Sequence, residues 1–214
     1  MSFAAAMLVA LAIDAAIGWP DRLYRRIGHP VTWIGALIDK MDRAWNSPER
    51  TTRKRRILGT AAAGLVIGIV GAGAALLQMI LPAGWPGVLA TGVLAWPFIA
   101  LRSLHQHVLA VARPLAAGDL TAARAEVAMI VGREPSLLDQ AGVARAATES
   151  LAENASDGIV APVFWGVVAG LPGIAAYKAI NTLDSMIGHR TTRHAAFGWS
   201  AARLDDLVNL IPAR

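Results

Sequence analysis

Hydrophobic and polar positions in this chain fall into long blocks rather than the short alternations of strands. Residues 3–18 are apolar apart from Asp14, and a helix over 3–17 would cover roughly 22 Å, short for a ~30 Å hydrocarbon core. Residues 57–81 carry no formal charge and are rich in Gly and Ala, which predicts the clearest membrane span. Within it, Gly64 and Gly68 have the spacing that permits close helix packing. Pro82, Gly84 and Pro86 predict a tight turn. A return span follows over 86–101, with Trp85 at its edge and Pro97 as a kink. Residues 159–177 are again apolar but broken by Pro162, Gly166, Gly170, Pro172 and Gly173. This block either crosses the membrane once or enters and turns back near Gly170. Re-entry is favoured, because it leaves Glu153 and Asp157 on the same side as Lys178 and Asp184, and a covered cavity tolerates broken backbone at depth.

The polar blocks complete the outline. Residues 21–56 are basic at both ends, with Arg22, Arg25 and Arg26 at one and Arg53, Lys54, Arg55 and Arg56 at the other, a positive-inside marker. Between them Val31, Ile34, Leu37, Ile38, Met41 and Trp45 recur at helical spacing and predict a helix lying along the membrane or on the rest of the protein. Residues 102–157 form a cytoplasmic helical region of three short helices. The first, 105–117, ends at Gly118; the second, 120–131, follows an Asp119 cap and stops at Gly132; the third starts from the cap signature around Pro135, Ser136 and Asp139 and runs to about Asn154. The fold class expected is all-α: one polytopic helical membrane domain with a short cytoplasmic helical insertion and a broken or re-entrant segment.

Composition narrows the classes of function. Charged residues are 16% of 214, against about 25% in soluble domains. The formal charge of +5 comes from basic residues clustered between apolar runs, so a membrane explains it better than nucleic acid does. Cysteine is absent, which removes disulfides, thiolate metal sites and cysteine nucleophiles. The first segment lacks a basic start and contains Asp14, so it reads as a retained helix, not a cleaved signal.

Candidate chemistry lies between residues 149 and 209. Glu149, Glu153 and Asp157 recur every four residues on one helical stripe. Such a stripe is either a solvated face or a site where a divalent cation or cationic group relieves like-charge repulsion. Lys178, Asn181 and Ser185 share a second face with Asp184 beside it, a pattern suited to phosphate. Asp205, Asp206 and Asn209 form a third acidic turn. His105 and His107 are not a same-face pair and read as structural or interfacial, and the scattered histidines make zinc improbable. Phosphate loops and hydrolase elbows are missing.

Three long blocks, ESLAENASDGIVAPVFW, YKAINTLDSMIGH and FGWSAARLDDLVNLIPAR, resemble the signature blocks of the adenosylcobinamide-phosphate synthase family of cobalamin biosynthesis, the CobD/CbiB proteins. The opening AIDAAIGWPDRLYRRIGHPVTWIGALI resembles that family's start. The resemblance implies a multi-pass enzyme of the cell (inner) membrane with its active face cytoplasmic. It implies an ATP-dependent acid–amine ligase that joins adenosylcobyric acid to aminopropanol phosphate with Mg²⁺. For such a reaction the clustering of residues makes Glu149, Glu153, Asp157, Lys178 and Asp184 catalytic candidates, and Glu153, Asp157 and Asp184 candidate Mg²⁺ ligands. Asn154, Asn181, Ser185, His189, Arg190, Asp205, Asp206, Asn209 and His29 are substrate-binding candidates. Partners expected are the two substrates and membrane lipid, with no nucleic acid; a homo-oligomer or a completing partner chain is compatible. Members of that family continue past the last block, so this chain reads as truncated relative to them. Two other functions compete: a phospho-alcohol transferase, whose D-x-x-D-G-x-x-A-R pattern is missing, and a non-catalytic transporter or scaffold component, disfavoured by uncharged spans.

Overall fold

A computed structural model describes residues 2–131 and 136–213. Every regular element among them is helical: α1 Phe3–Ile17, α2 Asp21–Ile27, α3 Pro30–Trp45, α4 Thr52–Ile80, α5 Trp85–Ala95, α6 Leu101–Ala116, α7 Leu120–Ala128, α8 Gln140–Ala155, α9 Ala161–Ile187 and α10 Trp199–Val208. A 3-10 turn, Trp96–Phe98, joins α5 to α6, and a π turn, Ser156–Val160, joins α8 to α9. Among the described residues three helical stretches are long and apolar enough to cross a membrane: Thr52–Ile80, Trp85–Ala116 and Gln140–Ile187. A fourth exists if α1 and the α2–α3 pair, bent by 109° from it, count as one.

α4 is the simplest element to explain. Thr51 caps it, accepting the Lys54 amide at 3.4 Å, and the basic first turn gives way to the uncharged run. At 29 residues it extends ~44 Å, more than a hydrocarbon core requires. The return path breaks at Pro97, which has no amide to donate and whose ring crowds the preceding turn. α1 packs closely on α5: a Cβ on Gly92 would lie 2.6 Å from Val9 Cγ1 and 2.8 Å from the Ala6 carbonyl. Gly64 and Gly68, in contrast, face open space and make no close packing among the described residues.

α1 and α6 are tied by a reciprocal cap. Asp14, almost wholly buried, accepts the Arg102 amide at 2.9 Å through Oδ2, satisfying the start of α6. The Arg102 guanidinium donates back to the carbonyls of Ala15 and Ala16 at 3.1 and 2.7 Å, at the end of α1. Asp14 is therefore a helix cap. α3 lies across the bundle end and buries Ile34 and Ile38 against α4 and α9, with Leu37, Met41 and Trp45 partly buried beside them. α6, α7 and α8 form a satellite around Val111, Val127 and Val143. Asp119 caps α7, accepting the Ala122 amide at 2.9 Å, and α7 ends at Ala128, short of 131. The α8 cap is Asp139, which accepts the Gly142 amide at 2.7 Å. Gly132 and Pro135, expected to stop and start helices here, lie outside the described residues, as does Arg214.

Candidate functional site

Residues 140–187 form one helical path of 48 residues, but that path doubles back. Asn181 Nδ2 donates to Asp157 Oδ2 at 3.2 Å although 24 residues separate them. Along a straight helix that separation would be ~36 Å. The reversal is at Ala169 and Gly170, where the dihedrals leave the helical region and Gly170 takes φ +65°. A side chain there would be strained in its backbone and would meet Gln78 Oε1 at 2.2 Å. Gln78 pins the tip by accepting the Leu171 amide at 2.7 Å, and Phe3 packs beside it. An unmet amide at such depth costs about 1–3 kcal/mol, so this polar residue near the end of an apolar span has a defined task. Each arm between Asp157 or Asn181 and the tip is ~20 Å or less, shorter than a ~30 Å core. The path is a helical hairpin, with Asp157 and Lys178 together at its mouth.

A cavity of about 600 Å³ opens at that mouth. Glu153, Asn154, Asp157, Lys178, Asn181 and Ser185 line it from α8, the π turn and α9, with Ser103 and His107 from α6 and an apolar wall of Leu104, Met129, Ile130 and Val131. Lys178 Nζ donates to Asn181 Oδ1 at 3.2 Å, so the Asn181 amide links the ammonium to Asp157. Asn154 Nδ2 donates to the Ser150 carbonyl and hydroxyl at 2.8 and 3.2 Å, and Ser185 Oγ donates to the Asn181 carbonyl at 2.9 Å. A second cavity of about 450 Å³ shares Glu153 and Asp157 with the first and adds Ser156, Asp205, Asp206 and Asn209.

A partly buried polar chain borders the second cavity. Tyr177 OH donates to Asn209 Oδ1 at 3.1 Å, and Asn209 Nδ2 donates to Asp205 Oδ2 at 3.1 Å. The other oxygen of that carboxylate, Oδ1, is buried with no hydrogen bond among the described residues. Burial first, then the charges of Asp184 and Asp157, push the Asp205 carboxyl up to about 6. Trp165 Nε1 donates to the Val208 carbonyl at 3.1 Å and holds α10 against the hairpin.

The structure sorts the predicted residues. Glu153, Asn154, Asp157, Lys178, Asn181, Ser185, Asp205, Asp206 and Asn209 line one cavity or both. His29 lines neither cavity; its Nδ1 accepts the Val31 amide at 3.2 Å, and its ring is within electrostatic reach of Lys178. Asp184 lies on the same side, close enough to Asp205 for their charges to interact, but lines neither cavity and packs over Gly188. Glu149 also lines neither; it is exposed on α8. Four residues turn a helix by 400°, so each step of the stripe drifts by about 40°, and the π turn adds to this before Asp157. His189 and Arg190 are exposed beyond the cavities, with His189 Nε2 2.9 Å from the Ser185 carbonyl. Among the described residues no group of three or more His, Asp and Glu is arranged to hold a metal ion, so Glu153, Asp157 and Asp184 form no three-ligand cage.

Three features escaped the sequence reading. Tyr177, 1% exposed, hides in an apolar run, and its hydroxyl was the only signal. His107 reaches the larger cavity because α6 continues the return span inward. The third is a latch on the loop after α9. Asp42 Oδ2 accepts from Arg193 Nε and Nη2 at 3.0 and 2.5 Å, while Asn46 Nδ2 donates to Asp42 Oδ1 at 2.7 Å and to the Arg193 carbonyl at 3.0 Å. Arg55 completes it by donating to Asn46 Oδ1 at 2.8 Å and to the Arg193 carbonyl. Its partners Asp42 and Arg193 are 151 residues apart, beyond any spacing rule.

Comparison with known proteins adds the following. The model of the CobD/Cbib protein family matches residues 7–214. A protein of Rhodobacter capsulatus described as "Cobalamin biosynthesis protein CobD" is 68% identical over 214 residues, which is 100% of this chain and 67% of that protein. Proteins with the same description from a Sinorhizobium species and from Rhizobium meliloti are 47% and 45% identical over 97% of this chain and 65% and 64% of their own lengths. No solved structure matches.

Proposed function

The chain belongs to the CobD/Cbib family and has a role in cobalamin biosynthesis; on that premise we propose that it forms the amide bond between adenosylcobyric acid and aminopropanol phosphate, giving adenosylcobinamide phosphate. The observation that carries the reading is the mixed wall of the larger cavity, where Lys178, Asn181, Asp157 and Glu153 meet at the mouth of the hairpin. An amino-alcohol phosphate has an anionic and a cationic end, and this wall offers a complement to each. Lys178 supplies a point charge for phosphate, and Asn181 fixes its direction. Glu153 and Asp157 attract the ammonium end and stand between the two cavities. The apolar wall of Leu104, Met129, Ile130 and Val131 suits the broad face of a corrin ring.

A carboxylate must be activated before an amine attacks it, and ATP is the proposed phosphoryl donor. Magnesium would neutralise phosphate charge there. Mg²⁺ is commonly held by one or two carboxylates with the rest of its shell from phosphate and water. Glu153 and Asp157 fit that mode, and a three-carboxylate cage is not needed for it. The proposed active face is cytoplasmic, on the side of the basic residues 53–56.

The reading is tested with the purified chain in detergent, given cobyric acid in its adenosyl form, aminopropanol phosphate and Mg-ATP. The expected product is the corrinoid amide, and Lys178→Gln should lower turnover by about 10²-fold or more. A wild-type chain that binds neither substrate and makes no amide would refute it.

A further inference from the structure

The reaction needs a proton acceptor, and His107 is a neutral-capable base that lines the larger cavity. His107 Nδ1 lies 2.7 Å from the Ser103 carbonyl oxygen. A carbonyl only accepts, so Nδ1 carries the hydrogen, and in the neutral ring Nε2 keeps its lone pair. The ring is thus locked one turn from its anchor while lining the larger cavity. Among the described residues the charged groups sharing that cavity are Glu153 from α8, Asp157 from the π turn and Lys178 from α9, and the segment after α7 contributes the apolar Met129, Ile130 and Val131.

Resting on the ligase reading above, we propose that His107 is a catalytic residue whose Nε2 takes a proton from the substrate ammonium as its nitrogen attacks the activated carboxyl carbon. One N–H bond of the ammonium breaks, its electron pair stays on nitrogen, and the proton goes to Nε2. The nitrogen pair forms the C–N bond. The C–O bond to the phosphate, installed by the nucleoside triphosphate, breaks, and phosphate leaves with that electron pair and the second N–H proton.

The carboxylates in the cavity are weaker candidates for this step. Asp157 already accepts from Asn181 and faces the Lys178 charge. Glu153 is a carboxylate exposed to solvent and shared with the second cavity, where its charge is placed to attract the ammonium.

The test uses His107→Asn, whose side-chain amide can still reach the Ser103 carbonyl but has nothing at the Nε2 position. kcat and KM for aminopropanol phosphate are measured from about pH 6 to 9. The expected result is a kcat about 10²-fold lower, a KM within about twofold, and loss of the acid limb of the profile. His107→Ala should recover part of its rate on adding imidazole. Wild-type kcat in His107→Asn overturns the proposal, as does a loss with an unchanged pH profile and no imidazole rescue. Failure of the wild-type chain to form any amide is a separate result: it removes the ligase reading itself and this role with it.

Discussion

Two helical hairpins dominate the bundle, and their sequences look alike: apolar arms, Gly and Pro at the turn. They differ in where the turn sits. The α4–α5 turn at Pro82, Ala83 and Gly84 is exposed, and the arms it joins carry no charge from 57 to 101. The α9 turn at Gly170 is buried against Gln78 and Phe3, and its arms end in Asp157, Lys178 and Asn181. The first hairpin makes a wall. The second brings polar groups 24 residues apart into contact, so a buried turn is what converts two membrane arms into a site.

Glycine replacement breaks this comparison most strongly. Gly84 and Gly170 have nearly the same unusual backbone, with φ of +76° and +65°, so alanine strains both by about 1–3 kcal/mol. Only at Gly170 does a Cβ also collide, meeting Gln78 Oε1 at 2.2 Å, whereas at Gly84 its nearest neighbour is Pro86 Cδ at 3.9 Å. Gly170→Ala should therefore lose about 3–5 kcal/mol once overpacking is added, and Gly84→Ala about 1–3. Unfolding in mixed detergent micelles measures both; equal losses would mean that the buried turn is not special.

A smaller effect, of opposite sign, comes from the acidic side of the mouth. Asp205 holds its proton more tightly folded, with a carboxyl pushed up to about 6, than unfolded near 3.9. The folded chain is favoured at low pH through this group, and that advantage is lost as pH rises from about 4 to about 6. Asp205→Asn should gain about 1–2 kcal/mol at pH 7.5, less than the full shift implies because solvent screens it, and nothing below about pH 4. Residues 57–101 of the α4–α5 hairpin have no ionisable side chain to produce such a slope. A melting temperature that differs equally at pH 3.5 and 7.5 would refute the assignment.

Most of this architecture is readable from residues. The uncharged run before Pro82 specifies α4, and Gly170 with Pro172 marks the re-entrant turn because few other reasons place both inside an apolar block. Lys178 and Asn181 on one face, three residues apart, meet as helical spacing requires. What was not legible depends on tertiary packing. Glu149 stands off the cavities that Glu153 and Asp157 line because of angular drift and the π turn, neither visible in spacing alone. The Asp42–Arg193 latch joins α3 to a loop 151 residues later, and His107 becomes a cavity residue only because α6 leans over the mouth.

The central claim is that the chain re-enters at Gly170 and returns to the side it left. The natural absence of cysteine allows Glu153→Cys and Ser185→Cys, each exposed, to be introduced singly and labelled in sealed vesicles of known orientation with a thiol reagent that does not cross lipid. Labelling of both positions from the same side is the expected result. Labelling from opposite sides would contradict the hairpin and dissolve the site built on it.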